Sequence, residues 1–214
     1  MTHLHIADGV LPPWLWLSGF VLTGVFAALA SYRHRNDRPD RLTLLAALGA
    51  VMLLAMSVPI GPLVHLSFAP MVGILLGPGL GFLAALLVNA TLALLGHGGL
   101  TVVGLNALVL GAALAPARPL YLLLRRRFAP GRAGAFAAVV SLACSVAALY
   151  VVVALANRGD AASLLADHDH GDARATGRFV LFSSPFWVLA TVAEALVTSS
   201  VLSFLSRVRP ELLP

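Results

Sequence analysis

The chain alternates long apolar blocks with short breaks, and most of its arginines are confined to a few of those breaks. Of its 214 residues, 59% are hydrophobic and 11% are charged, whereas about a quarter of the residues in a soluble domain are charged. A transmembrane helix needs about 20 predominantly apolar residues, and most of the blocks approach that length. The pattern predicts an all-α membrane protein, with a single transmembrane domain covering residues 1–214.

Seven membrane segments can be drawn from the apolar blocks. They are residues 14–32, 42–58, 66–76, 80–95, 100–117, 133–156 and 179–205. The third is too short to cross the hydrocarbon alone, so we expect a short or partly re-entrant helix that is shielded by protein. It is retained because the arginine pattern requires an odd number of crossings between His65 and Arg125, and a single crossing would leave two long apolar blocks unexplained.

The distribution of the arginines predicts the orientation. Eleven of the fourteen basic residues, all arginine, lie in residues 33–41, 118–132 and 207–209. The positive-inside rule then places the N-terminus outside and the C-terminus in the cytoplasm of a multi-pass protein of the bacterial cytoplasmic (inner) membrane. The other three lie in an outer polar loop, residues 157–178, together with four aspartates. The net charge of +5 therefore marks membrane loops and does not indicate a nucleic-acid partner. No basic residue precedes the first apolar block, so we do not expect a cleavable signal peptide.

Six of the seven histidines fall on the predicted outer side. They are His3, His5, His65, His97, His168 and His170, while His34 lies among arginines on the other side, where we expect a surface position. Neutral imidazole is the commonest protein ligand for transition metals. The one-sided distribution indicates that a metal ion is collected from the outside.

Four sequence motifs, in order along the chain, carry a family resemblance. They are His5-Ile6-Ala7-Asp8-Gly9 followed by Leu11-Pro12-Pro13, the segment Gly96-His97-Gly98-Gly99 to Asn106-Ala107, the segment Ala193-Glu194-Ala195 to Thr198, and Val208-Arg209-Pro210-Glu211-Leu212-Leu213. Together they resemble the cobalt/nickel substrate-binding permeases of energy-coupling factor transporters, the CbiM/NikM family.

The resemblance implies a substrate-capture subunit that is not an enzyme, with Co2+ or Ni2+ as its transported substrate, no organic cofactor, and a link to cobalamin biosynthesis. It also implies protein partners in the lipid bilayer and the cytoplasm: a transmembrane coupling (T) subunit, two cytoplasmic ATPase subunits and, in many systems, a small accessory membrane subunit. The chain itself has no Gly-rich phosphate loop with which to use ATP.

The resemblance also implies a ligand set. The family opens Met-His-Ile-x-Asp/Glu-Gly, and its N-terminal amine, the next backbone nitrogen and the following imidazole bind the metal with a histidine after the second helix. By this correspondence residues 1–13 form the metal-binding segment, His5 supplies the N-terminal imidazole and His65 the later one. A square plane of nitrogen donors suits nickel(II) or copper(II), and it requires deprotonated amide and neutral imidazole.

This chain departs from the family pattern because Met1-Thr2-His3-Leu4 precedes His5. Three hypotheses account for the extra residues. Translation starts at Leu4, read as methionine, which restores the family opening. Alternatively, Met1 is removed, and the amine of Thr2 with His3 rebuilds the chelate upstream. In the third, Met1 stays, and Met1-Thr2-His3 supplies four nitrogens without His65.

Two further outer positions are candidates for an entry role or for contacts around the ligands. His97 stands beside a double glycine, where it either lines the entry or is a turn residue in contact with water. Asn106 lies at lipid depth in the fifth segment, where it either supports the His65 loop or satisfies broken backbone elsewhere.

The acidic loop and an intramembrane carboxylate are also candidates. Residues 167–172 alternate aspartate with His168 and His170, which predicts either a weak metal collector or a solvated acidic loop. Glu194, inside the last segment, is a functional candidate by its position. It could equally be a protonated side chain, or one paired with Asn89 or another helix.

Small residues at four-residue spacing let helices approach closely in lipid. Gly73, Gly77 and Gly81 share this spacing, as do Ala46 and Ala50. We expect them to serve packing within the bundle, the alternative being contact with another subunit. Cys144 is expected to be a small buried hydrophobe.

Two other functions were weighed against metal capture. Capture of an organic vitamin by the same architecture would need aromatic stacking, whereas only 7% of the residues are aromatic. An intramembrane metal-dependent hydrolase is disfavoured because neither a His-Glu-x-x-His pair nor a Gly-x-Ser-x-Gly elbow occurs.

Overall fold

The computed structural model describes residues 9, 11–58, 65–163 and 171–214, with side chains left aside at 157–180, 182 and 183. Within these ranges the chain forms seven α-helices and a short terminal 3-10 helix. They are α1 (Pro13–His34), α2 (Pro39–Ser57), α3 (Ala69–Leu76), α4 (Pro78–Leu94), α5 (Val103–Leu124), α6 (Pro130–Ser163), α7 (Gly171–Val208) and η1 (Pro210–Leu212). The all-α prediction with seven helical segments is confirmed.

The helices differ in their capacity to cross a membrane. In the part of the chain that the structure describes, five are long and apolar enough to span: α1, α2, α5, and the apolar stretches Pro130–Ala156 of α6 and Ser184–Val208 of α7. α4 is shorter, with 17 residues. α3 has only 8 residues, all of them buried, and rises about 12 Å. The prediction of a short third helix shielded by protein is therefore confirmed.

Proline marks the start of most helices. It occupies the first or second position of α1, α2, α3 and α4, where its missing N–H has no helical partner in any case and its fixed φ favours the helix. α5 is different, because it contains Pro116 and Pro119 and continues to Leu124. The expected end at residue 117 is therefore wrong. Neighbouring helices can satisfy the backbone groups that proline frees in a membrane protein.

α5 is the central helix and contacts α1, α3, α4 and α6, while α7 packs against α6. The crossing of α1 and α5 is close because both helices carry glycine there: a Cβ at Gly104 would stand 2.9 Å from the backbone of Gly19. Thr23 Oγ1 adds a hydrogen bond of 2.7 Å to the carbonyl of Gly104. Glycine and threonine thus join two apolar helices where no large side chain would fit.

The small residues were expected to pack inside the bundle. This expectation holds for the glycines and fails for the alanines. A Cβ at Gly73 would lie 2.7 Å from the Leu114 carbonyl, and one at Gly81 would lie 3.0 Å from the Leu114 side chain, so both glycines serve packing of α3 and α4 on α5. Ala46 and Ala50 are exposed on α2. Internal packing was the wrong interpretation for these two alanines, because none of the helices that the structure describes covers that face.

Two other expectations are corrected. The predicted loop 157–178 is largely helical, since α6 continues to Ser163 and α7 begins at Gly171; alanines at 161, 162, 173 and 175 favour helix there. Cys144 is exposed. It lies on the apolar surface of α6, where lipid takes the place of a protein core.

The bundle has two chemically different ends. Arg33, Arg41 and Arg118 come together around one cavity, at what we call the arginine end. His65 precedes α3 and His97 follows α4, so the two imidazoles meet at the other end of the bundle. We call this the histidine end. Among the described residues, His65 and His97 thus lie apart from Arg33, Arg41 and Arg118, as the sequence predicts.

Candidate metal centre

His65 stands on a short non-helical segment, residues 65–68, that leads into α3. Its last residue, Phe68, is the N-cap of α3 and has φ 52° and ψ 14°, in the left-handed region. A side chain other than glycine or asparagine seldom adopts this conformation, which costs on the order of 1–3 kcal/mol. The segment therefore needs strong contacts to keep its shape.

Glu194 of α7 supplies those contacts. Its Oε1 accepts hydrogen bonds from the backbone N–H of Ser67 at 2.5 Å and from Ser67 Oγ at 2.8 Å. Ser67 Oγ in turn accepts a 3.2 Å bond from the N–H of Ala69. The carboxylate is 1% exposed, so one buried side chain of the last helix fixes the segment that carries His65.

The structure identifies a hydrogen-bond partner for Glu194. Its partner is the segment before α3, at a sequence separation of 127 residues. Asn89, the other partner considered, instead donates to the carbonyl of Ala85 within its own helix at 2.8 Å. The sequence marked Glu194 by its place in an apolar helix, but the partnership with Ser67 had no signal in the local pattern.

His97 meets His65 from a second break in the chain. It lies in the turn between α4 and α5, where Gly96 and Gly98 have φ of 81° and 92°, and its N–H donates to the carbonyl of Leu92 at 2.8 Å. The centroids of the two imidazoles are 6.4 Å apart, with the ring planes at 72°. His97 is exposed, and His65 beside it is partly buried.

The surroundings of His65 favour the neutral ring. Burial lowers the pKa of His65 below its ordinary value, and a positive charge on His97 would lower it further; a hydrogen bond with the backbone of Met56 opposes both effects. The neutral imidazole is the form that binds metal.

The remaining predicted ligands lie mostly outside the described residues. Among the residues that the structure does describe, no three or more His, Cys, Asp or Glu side chains come together in a metal-binding group. His3, Leu4, His5, His168 and His170 fall outside those ranges. Of the predicted ligands, only His65 lies within the described residues, and its role as a ligand stays a prediction.

Two described residues show how other parts of the chain reach this end. Leu11, just after the N-terminal segment, is buried in an apolar cluster with Val102 and Leu105 at the start of α5. Asn106 lies one turn further along α5 and is 2% exposed. Its support of the His65 loop stays a prediction.

Solved structures share this fold. The chain matches a "Crystal Structure of an Truncated Transition metal Transporter" with a TM-score of 0.77 and 20% identity, over 95% of this chain and 98% of that one. It matches a "Crystal Structure of an transition metal transporter" with a TM-score of 0.78 and 20% identity, over 95% and 93%. No curated protein matches the chain. These matches show that the fold of the chain is shared with both structures.

The family model described as "CbiM: Cobalt uptake substrate-specific transmembrane region" matches residues 5–212. The chain belongs to this family. It is therefore a transmembrane component of transition-metal uptake and not an enzyme, and the hydrolase alternative is dropped. The match covers all seven helices and begins at His5.

Proposed function

We propose that this protein captures Co2+ or Ni2+ at the histidine end and presents it for ATP-driven uptake, as the substrate-binding subunit of an energy-coupling factor transporter. The observation that carries the proposal is the rigid placement of His65. A buried carboxylate from α7 holds its segment, and a second imidazole lies 6.4 Å away. Family membership supplies the metal class.

We assign the remaining donors to the N-terminal segment. Leu11, which is buried, is the sixth residue after His5, and a stretch of this length can extend at most about 20 Å. Since Leu11 packs at the histidine end, an N-terminal chelate within that reach completes a nitrogen-rich site with His65. His5 with the nitrogen at position 4, or His3 with the residues before it, would be the donors, according to where the mature chain starts.

His97, Asn106 and the histidines of the acidic loop take secondary roles in this proposal. His97 is exposed beside His65, which suits an entry position. His168 and His170 would collect the ion weakly on its way to the site. Nickel and cobalt both accept such nitrogen ligands and differ in preferred geometry.

The function also requires partners that hydrolyse ATP and move the ion onward. We propose a transmembrane coupling subunit, two cytoplasmic ATPase subunits and a small accessory membrane subunit, in a bacterial cytoplasmic membrane with the histidine end outside. Co-purification of these subunits with a C-terminally tagged chain, and metal-stimulated ATPase activity of the complex, would test this assembly.

The ligand role of His65 can be tested by metal titration. His65→Ala should lower the affinity for nickel or cobalt at least a hundredfold, measured calorimetrically on folded protein in detergent, because loss of one of four donors leaves an incomplete plane. His34→Gln is the matched control, since it removes an imidazole at the arginine end. Full affinity in His65→Ala would remove His65 from the site and favour the four-nitrogen arrangement on Met1-Thr2-His3.

A further inference from the structure

The arginine end contains a cavity of about 710 Å³ between α1, α4 and α5. Its walls are lined by apolar side chains, including Phe26, Leu29, Phe82 and Leu108. Two of these, Phe26 and Leu29, are 51% and 60% exposed on the outer face of α1. In a membrane that face contacts lipid, so the cavity adjoins the hydrocarbon.

The cavity is ringed by cations. Arg33 at the end of α1, Arg41 at the start of α2 and Arg118 near the end of α5 all line it. His34 also lines it and is tied to Asp37 by a 2.8 Å hydrogen bond between its Nδ1 and Asp37 Oδ2. The structure corrects the simple surface position expected for His34, which is only partly exposed.

The turn between α3 and α4 is shaped to admit these side chains. Gly77 has φ +83°, and a Cβ there would lie 3.2 Å from Nη1 of Arg118. A Cβ at Gly79 would lie 2.5 Å from Nε2 of His34. The two glycines therefore let the guanidinium and the imidazole lie directly over the start of α4.

The charges around the cavity are not balanced. Asp37 forms the ion pairs of this group in the described part of the chain, at 3.5 Å from Arg41 and 2.8 Å from His34. Within the described ranges of the chain, Arg33 and Arg118 form no ion pair. The amino end of α4, with its partial positive charge, points to the same place. A cluster of cations at the edge of the hydrocarbon favours binding of an anion.

We propose that this cavity binds one anionic phospholipid from the adjoining leaflet, with its phosphate among Arg33, Arg41 and Arg118 and an acyl chain along the apolar wall. Basic pockets between membrane helices commonly bind anionic head groups, and guanidinium pairs with phosphate through two parallel hydrogen bonds. The apolar wall favours a lipid over a free phosphate. This site lies at the opposite end of the bundle from the metal centre.

Lipid retention tests the proposal. The protein is inserted into nanodiscs containing equal amounts of phosphatidylglycerol and phosphatidylcholine, extracted into mild detergent and examined by native mass spectrometry. We expect one retained phosphatidylglycerol in the natural chain and at least tenfold less in Arg33→Gln/Arg118→Gln. The matched control, Arg126→Gln/Arg127→Gln, makes the same charge change on exposed residues outside the cavity and should retain the lipid.

A second variant keeps the test decisive if the double substitution fails to fold. Ala115→Phe would fill part of the apolar wall without altering a charge, and should also reduce retention at least tenfold. Equal retention in all variants, equal retention of phosphatidylcholine, or displacement of the lipid by millimolar inorganic phosphate would overturn the proposal. So would the loss of the lipid from this cavity when the complete transporter is assembled, since a partner protein would then be its occupant.

Discussion

Single residues determine the backbone conformation at the histidine end, and Glu194 is the clearest case. Its hydrogen bonds to Ser67 stabilise a segment that includes the left-handed Phe68. A buried donor that loses its acceptor costs about 1–3 kcal/mol. The segment beside His65 should therefore relax when the carboxylate is removed.

We predict that Glu194→Ala lowers metal affinity at least tenfold and the free energy of unfolding by about 1–3 kcal/mol, whereas Glu194→Gln, which keeps an acceptor oxygen, has an intermediate effect. Calorimetric titration and thermal unfolding in detergent measure the two quantities. Glu211→Ala, an exposed carboxylate at the other end of the bundle, is the control.

Ser67 provides the test of mechanism. If Glu194 acts through Ser67, the double variant Glu194→Ala/Ser67→Ala should lose less affinity than the sum of the two single losses. Strict additivity would show that Glu194 influences the metal by another route.

At the scale of the helices, packing depends on where glycine lies. At Gly104 even a methyl group would meet the backbone of Gly19, while nothing lies within 4 Å of a Cβ at Gly24. We predict that Gly104→Ala lowers the free energy of unfolding by about 1–3 kcal/mol, because the two helices must move apart. Gly24→Ala, on α1 like Gly19, should be neutral or slightly stabilising. Thermal unfolding in one detergent measures both, and equal losses would contradict the assignment of this crossing.

The helices were largely predictable from the sequence, and their ends were less so. Apolar length and proline position indicate α1, α2 and α4 to within a few residues. The errors have specific causes in the packing of the helices. α5 passes through two prolines because its neighbours tolerate them, and residues 66–68 stay non-helical because Glu194 binds their backbone. Such contacts join residues distant in sequence, so no periodicity could indicate them.

The candidate site was predictable in its composition but not in its contacts. The one-sided histidines indicated a metal end, and His65 and His97 do lie together there. Their approach depends on a turn with two left-handed glycines and on a carboxylate 127 residues away from Ser67. The arginine pattern indicated a common side for the basic residues, but it gave no sign that three of them surround a cavity.

For the whole molecule, the proposed function makes the N-terminal nitrogen atoms part of the site. We predict that a tag fused ahead of Met1 leaves the protein folded in the membrane but reduces bound nickel or cobalt at least tenfold, because the amine is lost. The same tag after Pro214 should be harmless. Metal content per protein, measured by mass spectrometry, compares the two. Equal content would mean that interior side chains alone build the site, with His97, His168 and His170 as the first candidates.

The bond between Glu194 and Ser67 has a mechanical consequence. Glu194 lies fourteen residues before Val208, the end of α7, a distance of about 21 Å along a stiff rod. The end of α7 carries Arg207, with Arg209 just beyond it. The proposed partner subunits would make contact there. Under the proposed function, a tilt of α7 imposed there would also move Glu194 and, through its hydrogen bonds to Ser67, the peptide next to His65. Contacts at the arginine end would then change how tightly the proposed metal site holds its ion.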